Sequence, residues 1–208
     1  MTYIYLHGFA SSPASRKAEF FATKLREQGV EVEVPNLEAE GFRNLTVSGQ
    51  LGVIEDCAQG RPVRLIGSSM GGYLAALYAA LHPEVERLML LAPAFGFAAR
   101  WGLRLGEQKM AEWKATGFIE MMHYATGKLE PVGYRLIEDG MRYPAEPDFQ
   151  QQALIFHGRG DDVVPLAFSE QFAAAHSNVR LTAMESGHEL TDVMETIWER
   201  SAEFLLGN

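Results

Sequence analysis

The sequence VRLIGSSMGGY, residues 63–73, is an apolar run of strand character that stops at two glycines flanking a serine with the spacing Gly-x-Ser-x-Gly. Small and apolar residues follow at 75–81 in a helical pattern. Glycine is needed at these positions because a side chain beside a sharp strand-to-helix turn would collide with the crossing strand and helix. The pattern predicts that Ser69 stands exposed on a strained turn, with the N–H of Met70 pointing to where an oxyanion would form. The spacing alone also arises by chance, and the flanking strand and helix distinguish it here.

The size and charge of the chain are those of an ordinary globular protein. Its 208 residues are enough to bury a core in one domain. Eighteen basic against 27 acidic side chains give a formal net charge of −9. This acidity is typical of a solvated surface and argues against nucleic acid or an anionic membrane as the main partner. No apolar run reaches the length of a membrane span.

The cysteine count and the first residues indicate a compartment. The lone Cys57 excludes an internal disulfide, which fits a reducing environment. The chain opens with the strand-like residues 2–6 and shows no basic start followed by an apolar signal core. We therefore expect a cytoplasmic protein. No sequence pattern indicates its oligomeric state.

Strand patterns recur along the chain with helical patterns between them. Besides the strand before Ser69, five apolar runs read as strands, at residues 2–6, 30–34, 87–92, 153–157 and 179–184. Strands that alternate with helices pair in parallel through right-handed crossovers. From about residue 97 to 152, helical fragments rich in Trp, Met and Tyr replace the alternation. We predict a single α/β domain over residues 1–208, with a parallel sheet of about six strands, helices on both faces and a helical lid inserted at about 97–152.

Two later loops supply the partners that a serine nucleophile needs. HGRGDDVVP, residues 157–165, follows the fifth predicted strand, and SGHE, residues 186–189, follows the sixth. Open α/β sheets build active sites at the carboxyl ends of their strands. A histidine must remove the serine proton, and a carboxylate must fix the imidazole tautomer. The chain order Ser69, Asp161, His188 therefore predicts a nucleophile, an orienting carboxylate and a general base.

The motifs at the strand ends resemble the α/β-hydrolases over nearly the whole chain. The residues that carry the resemblance are His7-Gly8 after the first strand, the glycine-flanked serine at 67–71, Asp161 and His188. The resemblance implies an α/β-hydrolase fold, and it implies that the residue after His-Gly, here Phe9, donates the second oxyanion N–H. Many members begin with two further strands that this chain lacks, so we expect a trimmed sheet.

Closer resemblances exist at two places in the chain. The opening residues 5–13 are similar to the small bacterial YqiA/YcfP-type esterases. The insertion, with Trp113 and Gly117, and the aspartate loop 158–165 are similar to the ABHD10-like acyl-protein thioesterases. Both resemblances imply hydrolysis of acyl esters or thioesters.

Each predicted catalytic residue has an alternative. The family spacing Gly-x-x-Asp-x-x-Val-Pro selects Asp161 over Asp162, which would then be a loop or capping residue. Ser68 competes with Ser69 but lies one place off the flanking-glycine frame. Ser69 could instead be a serine that caps a helix, and His188 could be a histidine of a surface loop.

The remaining histidines and glycine loops do not indicate a cofactor site. His7 and His157 are predicted to order their loops through backbone hydrogen bonds, and His82, His123 and His176 are predicted to be surface or lid residues. No cluster has metal-ligand spacing, and no glycine loop carries the lysine of a phosphate cradle. We therefore expect neither a metal nor another cofactor.

The insertion is rich in side chains that suit an acyl pocket. Trp101, Trp113, Met121 and Met122 are the candidate substrate-binding residues. The alternative role for each is packing between the insertion and the core. A lid over a pocket needs residues that both pack against the core and line the pocket.

The residues and the resemblance together predict a serine hydrolase of carboxylic esters or thioesters that works through an acyl-enzyme, on a small-molecule acyl substrate. One alternative is a lyase or C–C bond hydrolase, because this scaffold hosts several chemistries. The other alternative is a non-catalytic binding module. The sequence names neither the acyl chain nor the leaving group.

Overall fold

The computed structural model describes residues 1–207. Its strands are β1 (Thr2–Leu6), β2 (Glu31–Glu33), β3 (Val63–Ser68), β4 (Val85–Leu91), β5 (Phe118–His123), β6 (Lys128–Gly133), β7 (Gln152–Gly158) and β8 (Val179–Met184). Its helices are α1 (Arg16–Glu27), α2 (Val47–Ala58), α3 (Met70–Leu81), α4 (Phe97–Thr116), α5 (Arg135–Gly140), α6 (Leu166–Ala175) and α7 (Met194–Leu206). The strand–helix alternation is interrupted between α4 and α5, where two strands follow one another.

Six strands form one sheet in the order β2-β1-β3-β4-β7-β8. Every neighbouring pair in it is parallel, which confirms the predicted trimmed parallel sheet of about six strands. The chain runs outward from β1 to β2 and then returns to the other side of β1 at β3. The strand order therefore reverses between β1 and β3, and open α/β sheets bind ligands at the carboxyl ends beside such a reversal.

Both faces of the sheet are covered by helices. Leu65 and Leu88 pack in the apolar cluster that includes residues of α2, α3 and α6. Ile66 and Met89, the next residues along the same strands, pack in a second cluster with residues of α1 and α7. Because both faces are buried, the central strands read as continuous apolar runs, which is why the sequence alone locates them.

The predicted helical lid contains helices α4 and α5, but it also contains a β-hairpin that the sequence did not predict. The first part is α4, which bends at Gly106, where φ is +78°. Strands β5 and β6 then pair antiparallel, from Phe118 with Gly133 to His123 with Lys128. From Ile119 to His123 the residues of β5 alternate between less and more exposed positions, but Pro131 inside β6 argues against a strand when only the sequence is read.

The hairpin is attached to the core beside the loop that follows β1. The N–H of Tyr124 donates to the carbonyl of Ala10 at 2.9 Å. The Nε2 of His123 lies 2.7 Å from Oε2 of Glu38, and both side chains are largely buried. His123 is therefore a buried contact of the insertion with the core. None of the described helices is long and apolar enough to cross a membrane.

Candidate active site

The turn between β3 and α3 holds Ser69 in a conformation that few side chains adopt. Its φ is +53° and its ψ is −115°. A Cβ on Gly67 would overlap the backbone of Gly71, and a Cβ on Gly71 would overlap the carbonyls of Leu6 and His7. The glycines are thus required by the close approach of strand, turn and helix, which is the collision that the sequence predicts.

Backbone strain is concentrated at this edge of the sheet. Five described non-glycine residues have positive φ. Four of them lie in the segments that follow β1, β3, β4 and β8, namely Ala10, Ser69, Ala92 and Leu190. Residues held in sparsely populated backbone regions gather at functional sites, because the surrounding structure must over-determine them. The strain marks the edge where the predicted catalytic residues lie.

His188 joins Ser69 and Asp161 in one hydrogen-bonded chain. Its Nδ1 lies 2.7 Å from Oδ2 of Asp161, and its Nε2 lies 3.0 Å from Oγ of Ser69. An ionised carboxylate only accepts hydrogen bonds, so Nδ1 carries the proton and donates it to Asp161. The lone pair of Nε2 then faces the Ser69 hydroxyl. The structure thus brings together the three side chains that the sequence selects from the loops after β3, β7 and β8.

Asp161 is held as a charged group in a buried position. Its Oδ1 accepts hydrogen bonds from the N–H groups of Val163 and Val164 at 2.9 and 2.7 Å, and no part of its side chain is exposed. Burial by itself would raise the pKa of this carboxyl, but the hydrogen bonds from His157, His188 and Val164 outweigh burial and hold the pKa well below its usual range. Asp161 therefore stays ionised at any pH where a neutral histidine acts as a base.

The neighbouring aspartate lies elsewhere. Asp162 is exposed at the rim of the cavity described below. The structure therefore places Asp161, and not Asp162, against His188. Ser68 is the last residue of β3 and is buried, and Ser69 is the serine whose Oγ meets the histidine.

His157 has a contact that the sequence analysis missed. Its Nε2 lies 2.8 Å from the carbonyl of Val164, as expected for a loop-ordering histidine, but also 3.0 Å from Oδ2 of Asp161. Both neighbours of Nε2 are acceptors, so Nε2 carries the proton, and the hydroxyl of Ser169 donates to Nδ1 at 2.8 Å. Asp161 thus accepts hydrogen bonds from two histidines. The four-residue spacing of His157 and Asp161 was the only available signal, and such spacing is common.

The two predicted oxyanion donors lie on neighbouring strand ends. Leu6 pairs with Gly67 across β1 and β3, and a Cβ on Gly8 would lie 3.4 Å from the Cβ of Ser69. Phe9 follows directly, and Met70 is the first residue of α3. Within residues 1–207, neither N–H has a hydrogen-bond partner. Met70 also lies at the N-terminus of a helix, which favours negative charge. Two free donors therefore border Ser69.

A cavity of about 1330 Å³ opens next to Ser69 and His188. The insertion contributes much of its apolar lining, including the predicted Trp101 and Met121. The predicted Met122 also lines it but is exposed at the rim. Leu105 and Ile119, which are not among the predicted substrate-binding residues, line it as well.

Trp113 is the predicted lid residue that does not line the cavity. It is fully buried, and its Nε1 donates to the carbonyl of Val132 at 3.0 Å. Its ring packs edge-on against Trp101 and Tyr134. Trp113 is therefore part of the core of the insertion, where a bulky indole with a satisfied N–H is expected.

One group of metal-ligating side chains exists in the part of the chain that the structure describes. Glu55, His82 and Glu84 place one ligand atom each within 4.8 Å of one another. The group is partly exposed, and its members pair with each other and with Tyr78. It lies in α2 and in the turn between α3 and β4, at the amino ends of the strands, and it has no connection to the cavity.

The fold is that of the α/β-hydrolases, as three solved structures show. Est1E from Butyrivibrio proteoclasticus with ferulic acid bound has a TM-score of 0.83 and 21% identity, over 99% of this chain and 88% of that chain. Alpha/beta hydrolase domain-containing protein 10 from mouse has a TM-score of 0.79 and 18% identity, over 98% and 90%. The monoacylglycerol lipase of Paleococcus ferrophilus has a TM-score of 0.76 and 15% identity, over 99% and 93%. At these identities the likeness concerns the fold, and it confirms the predicted α/β-hydrolase fold.

The family follows from the sequence. The uncharacterised protein family UPF0227 matches residues 2–205, so the chain belongs to this family. The family is YqiA-like, as the opening residues of the chain predict. No curated protein matches the chain.

Proposed function

We propose that this protein is a serine hydrolase that cleaves carboxylic esters or thioesters of small-molecule acyl substrates through an acyl-enzyme. The observation that carries the proposal is the chain of hydrogen bonds from Ser69 through His188 to Asp161, beside a cavity with apolar walls. A buried carboxylate with a lowered pKa next to a histidine and a strained serine is an arrangement suited to nucleophilic catalysis.

In the proposed reaction, Oγ of Ser69 attacks the acyl carbon while Nε2 of His188 takes the hydroxyl proton. The tetrahedral oxyanion accepts hydrogen bonds from the N–H groups of Phe9 and Met70. The bond to the leaving group then breaks, and His188 returns the proton to the departing alkoxide or thiolate. Water repeats the sequence on the acyl-serine and releases the carboxylic acid. Asp161 keeps the imidazole in the required tautomer and stabilises the imidazolium, and it remains ionised throughout.

Esters and thioesters are proposed over amides because their leaving groups need less assistance from a general acid. The apolar side chains of Leu105, Ile119 and Met121 favour an acyl chain in the part of the cavity that the insertion covers. A protein that shares the fold, the monoacylglycerol lipase, is named for an acyl ester substrate.

We also propose that the sheet and the insertion form a single catalytic domain. Trp113, Val132 and Leu136 of the insertion belong to the same buried apolar cluster as Leu65 and Leu88 of the sheet. A separate domain would have its own core. For the location we propose the cytoplasm, on the basis of the free Cys57.

The test is active-site labelling. A fluorophosphonate probe should modify Ser69, with the modified peptide identified by mass spectrometry. Ser69→Ala should abolish labelling and lower kcat/KM on p-nitrophenyl butyrate by several orders of magnitude. Ser177→Ala, which removes an exposed serine in the turn between α6 and β8, at the amino ends of the strands and away from the cavity, is the control and should change neither.

The outcome also separates the alternatives. Labelling at another serine, or unchanged turnover in Ser69→Ala, would reject the assignment. Labelling of Ser69 with turnover only of a carbon–carbon substrate would instead support the lyase or C–C bond hydrolase. A folded protein that is neither labelled nor active would support the binding module.

A further inference from the structure

The cavity has a second group of lining residues that the proposed mechanism does not use. Tyr5 of β1, Lys17 of α1 and Ser68 of β3 all border it. As whole residues, the three are 1%, 8% and 3% exposed. Tyr5 packs in the apolar cluster of α1 and α7, whereas Trp101, Ile119 and Met121 pack against the cluster on the other face of the sheet. The cavity therefore has a polar recess (Tyr5, Lys17 and Ser68) and a separate apolar chamber under the insertion.

The Tyr5 hydroxyl is a buried donor without an acceptor. It is one of three buried side-chain atoms within residues 1–207 that have no hydrogen-bond partner. Burial raises the pKa of Tyr5 more than the interaction of the Ser68 side chain with the phenol oxygen lowers it, so the phenol keeps its proton, and its O–H has no acceptor. Buried polar groups are nearly always paired in folded proteins. An unpaired phenol that borders a cavity is therefore a position where a ligand atom is expected.

Lys17 also has fewer hydrogen-bond partners than its ammonium group can bind. An ammonium group has three donors, and the only ion pair of Lys17 in the described part of the chain is with Glu189, at 3.5 Å. Glu189 is mostly exposed, whereas the Lys17 side chain is 10% exposed. A single long contact to a solvated carboxylate leaves donors of the ammonium group available to a ligand that enters the cavity.

We propose that Tyr5, Lys17 and Ser68 form a subsite that binds a carboxylate on the leaving group of the substrate. The proposal rests on the proposed function, since it assigns the second half of a substrate whose acyl chain enters the apolar chamber. The recess offers one cation and two hydroxyl donors, which matches the two oxygens and single charge of a carboxylate. Glu189 lies against the same cation, so a dianionic phosphate fits less well than a singly charged group.

The first experiment compares two esters that share the butyryl group. 4-(Butyryloxy)benzoate carries a carboxylate on its leaving group, and methyl 4-(butyryloxy)benzoate is its neutral counterpart. The wild-type enzyme should prefer the carboxylate ester in kcat/KM by about tenfold or more, because hydrogen bonds to a charged group are strong. Lys17→Met and Tyr5→Phe should each remove about tenfold from the carboxylate ester and change the neutral ester by less than about twofold.

Lys109→Met is the matched control, because Lys109 is an exposed lysine of the insertion that lines the same cavity. It should leave the preference unchanged. Equal turnover of the two esters by the wild type, or equal losses on both esters in Lys17→Met, would overturn the subsite. A preference for 4-(butyryloxy)phenyl phosphate over the carboxylate ester would overturn the choice of carboxylate.

A binding measurement separates failure of the subsite from failure of the proposed function. Calorimetric titration of Ser69→Ala with 4-hydroxybenzoate needs no turnover, and Lys17→Met in this background should weaken binding about tenfold. Methyl 4-hydroxybenzoate should bind both variants alike. Unchanged 4-hydroxybenzoate binding rejects the subsite even if the enzyme proves to be an esterase, and weakened binding supports it even if no ester is cleaved.

Tyr5→Phe gives a further readout that a structural role would not produce. Removing an unpaired buried hydroxyl should leave the melting temperature of the empty enzyme unchanged or raise it, while ligand affinity falls. A lower melting temperature would show that the hydroxyl supports the fold, and would count against the subsite.

Discussion

The strand-end loops and the insertion face the same cavity but are held in place by different forces. At the strand ends, backbone approaches backbone so closely at Gly67 and Gly71 that no side chain fits, and Asp161 is fixed by donors on both oxygens. In the insertion, only Phe97, Ala98 and Trp113 of the twenty residues of α4 are buried. The part of α4 that lines the cavity is thus placed by a few side-chain contacts.

This difference separates chemistry from selectivity. A substitution at the strand ends displaces catalytic groups that are held in a single position, so it should lower the rate for every substrate. A change in the apolar chamber alters the fit of the acyl chain, and cores that keep their general shape tolerate such changes. Substitutions on the two sides should therefore affect kcat and chain-length preference independently.

The largest expected effect is at Asp161. Asp161→Asn replaces an acceptor-only oxygen with an amide that can no longer hold the Nδ1 proton of His188 in place, and the loss in kcat should be on the order of 10⁴. Asp162→Asn should lose less than about threefold, because Asp162 is exposed and does not contact His188. The measurement is kcat on p-nitrophenyl butyrate for the two variants. Similar losses in both would contradict the role given to Asp161.

The next effect is at His157, which acts through Asp161 as a positioning residue. His157→Leu removes the hydrogen bond to Oδ2 of Asp161, and the loss of one buried hydrogen bond to a charged group corresponds to about 10- to 100-fold in kcat. His157→Gln offers an amide N–H in a similar place and should recover part of the activity. If the glutamine and leucine variants are equally impaired, the effect is one of packing.

The pH dependence of stability is an independent check on the same contact. The folded pKa of Asp161 lies below its unfolded value of about 3.9. Its charged form therefore stabilises the folded state above that unfolded value, and the stabilisation is lost as the pH falls toward the folded pKa. In His157→Leu the folded pKa should rise toward the unfolded value. The decline in the free energy of unfolding from pH 5 to pH 2, followed by urea denaturation, should therefore be shallower than in the wild type. An identical decline would show that His157 does not control the charge of Asp161.

The two regions also differ in how far the sequence determines them. Buried parallel strands appear in the sequence as continuous apolar runs, and the turn between β3 and α3 requires glycines that no other residue can replace. The sheet and the positions of Ser69, Asp161 and His188 therefore follow from local pattern. The hairpin β5–β6 was missed because its strands are partly exposed and interrupted by Pro131. The contact of His157 with Asp161 spans only four residues, a spacing too common to identify it, and the role proposed for Tyr5 depends on Lys17 and Ser68, which lie on other elements.

The smallest expected effect distinguishes lining residues from packing residues within the insertion. Met121 lines the cavity, so Met121→Ala should change the fit of long acyl chains. Each methylene in an apolar pocket contributes roughly 0.8 kcal/mol, so losing contact with two methylenes would change the preference for decanoate over acetate about tenfold.

Trp113→Phe keeps a large ring but removes the hydrogen bond to Val132. It should lower the free energy of unfolding by about 1–3 kcal/mol and leave the chain-length profile unchanged. The measurement is kcat/KM from acetate to decanoate p-nitrophenyl esters, together with urea unfolding, for both variants. If Trp113→Phe shifts the profile as much as Met121→Ala does, then buried packing residues of the insertion also determine chain-length preference, and the distinction between lining and packing residues does not hold.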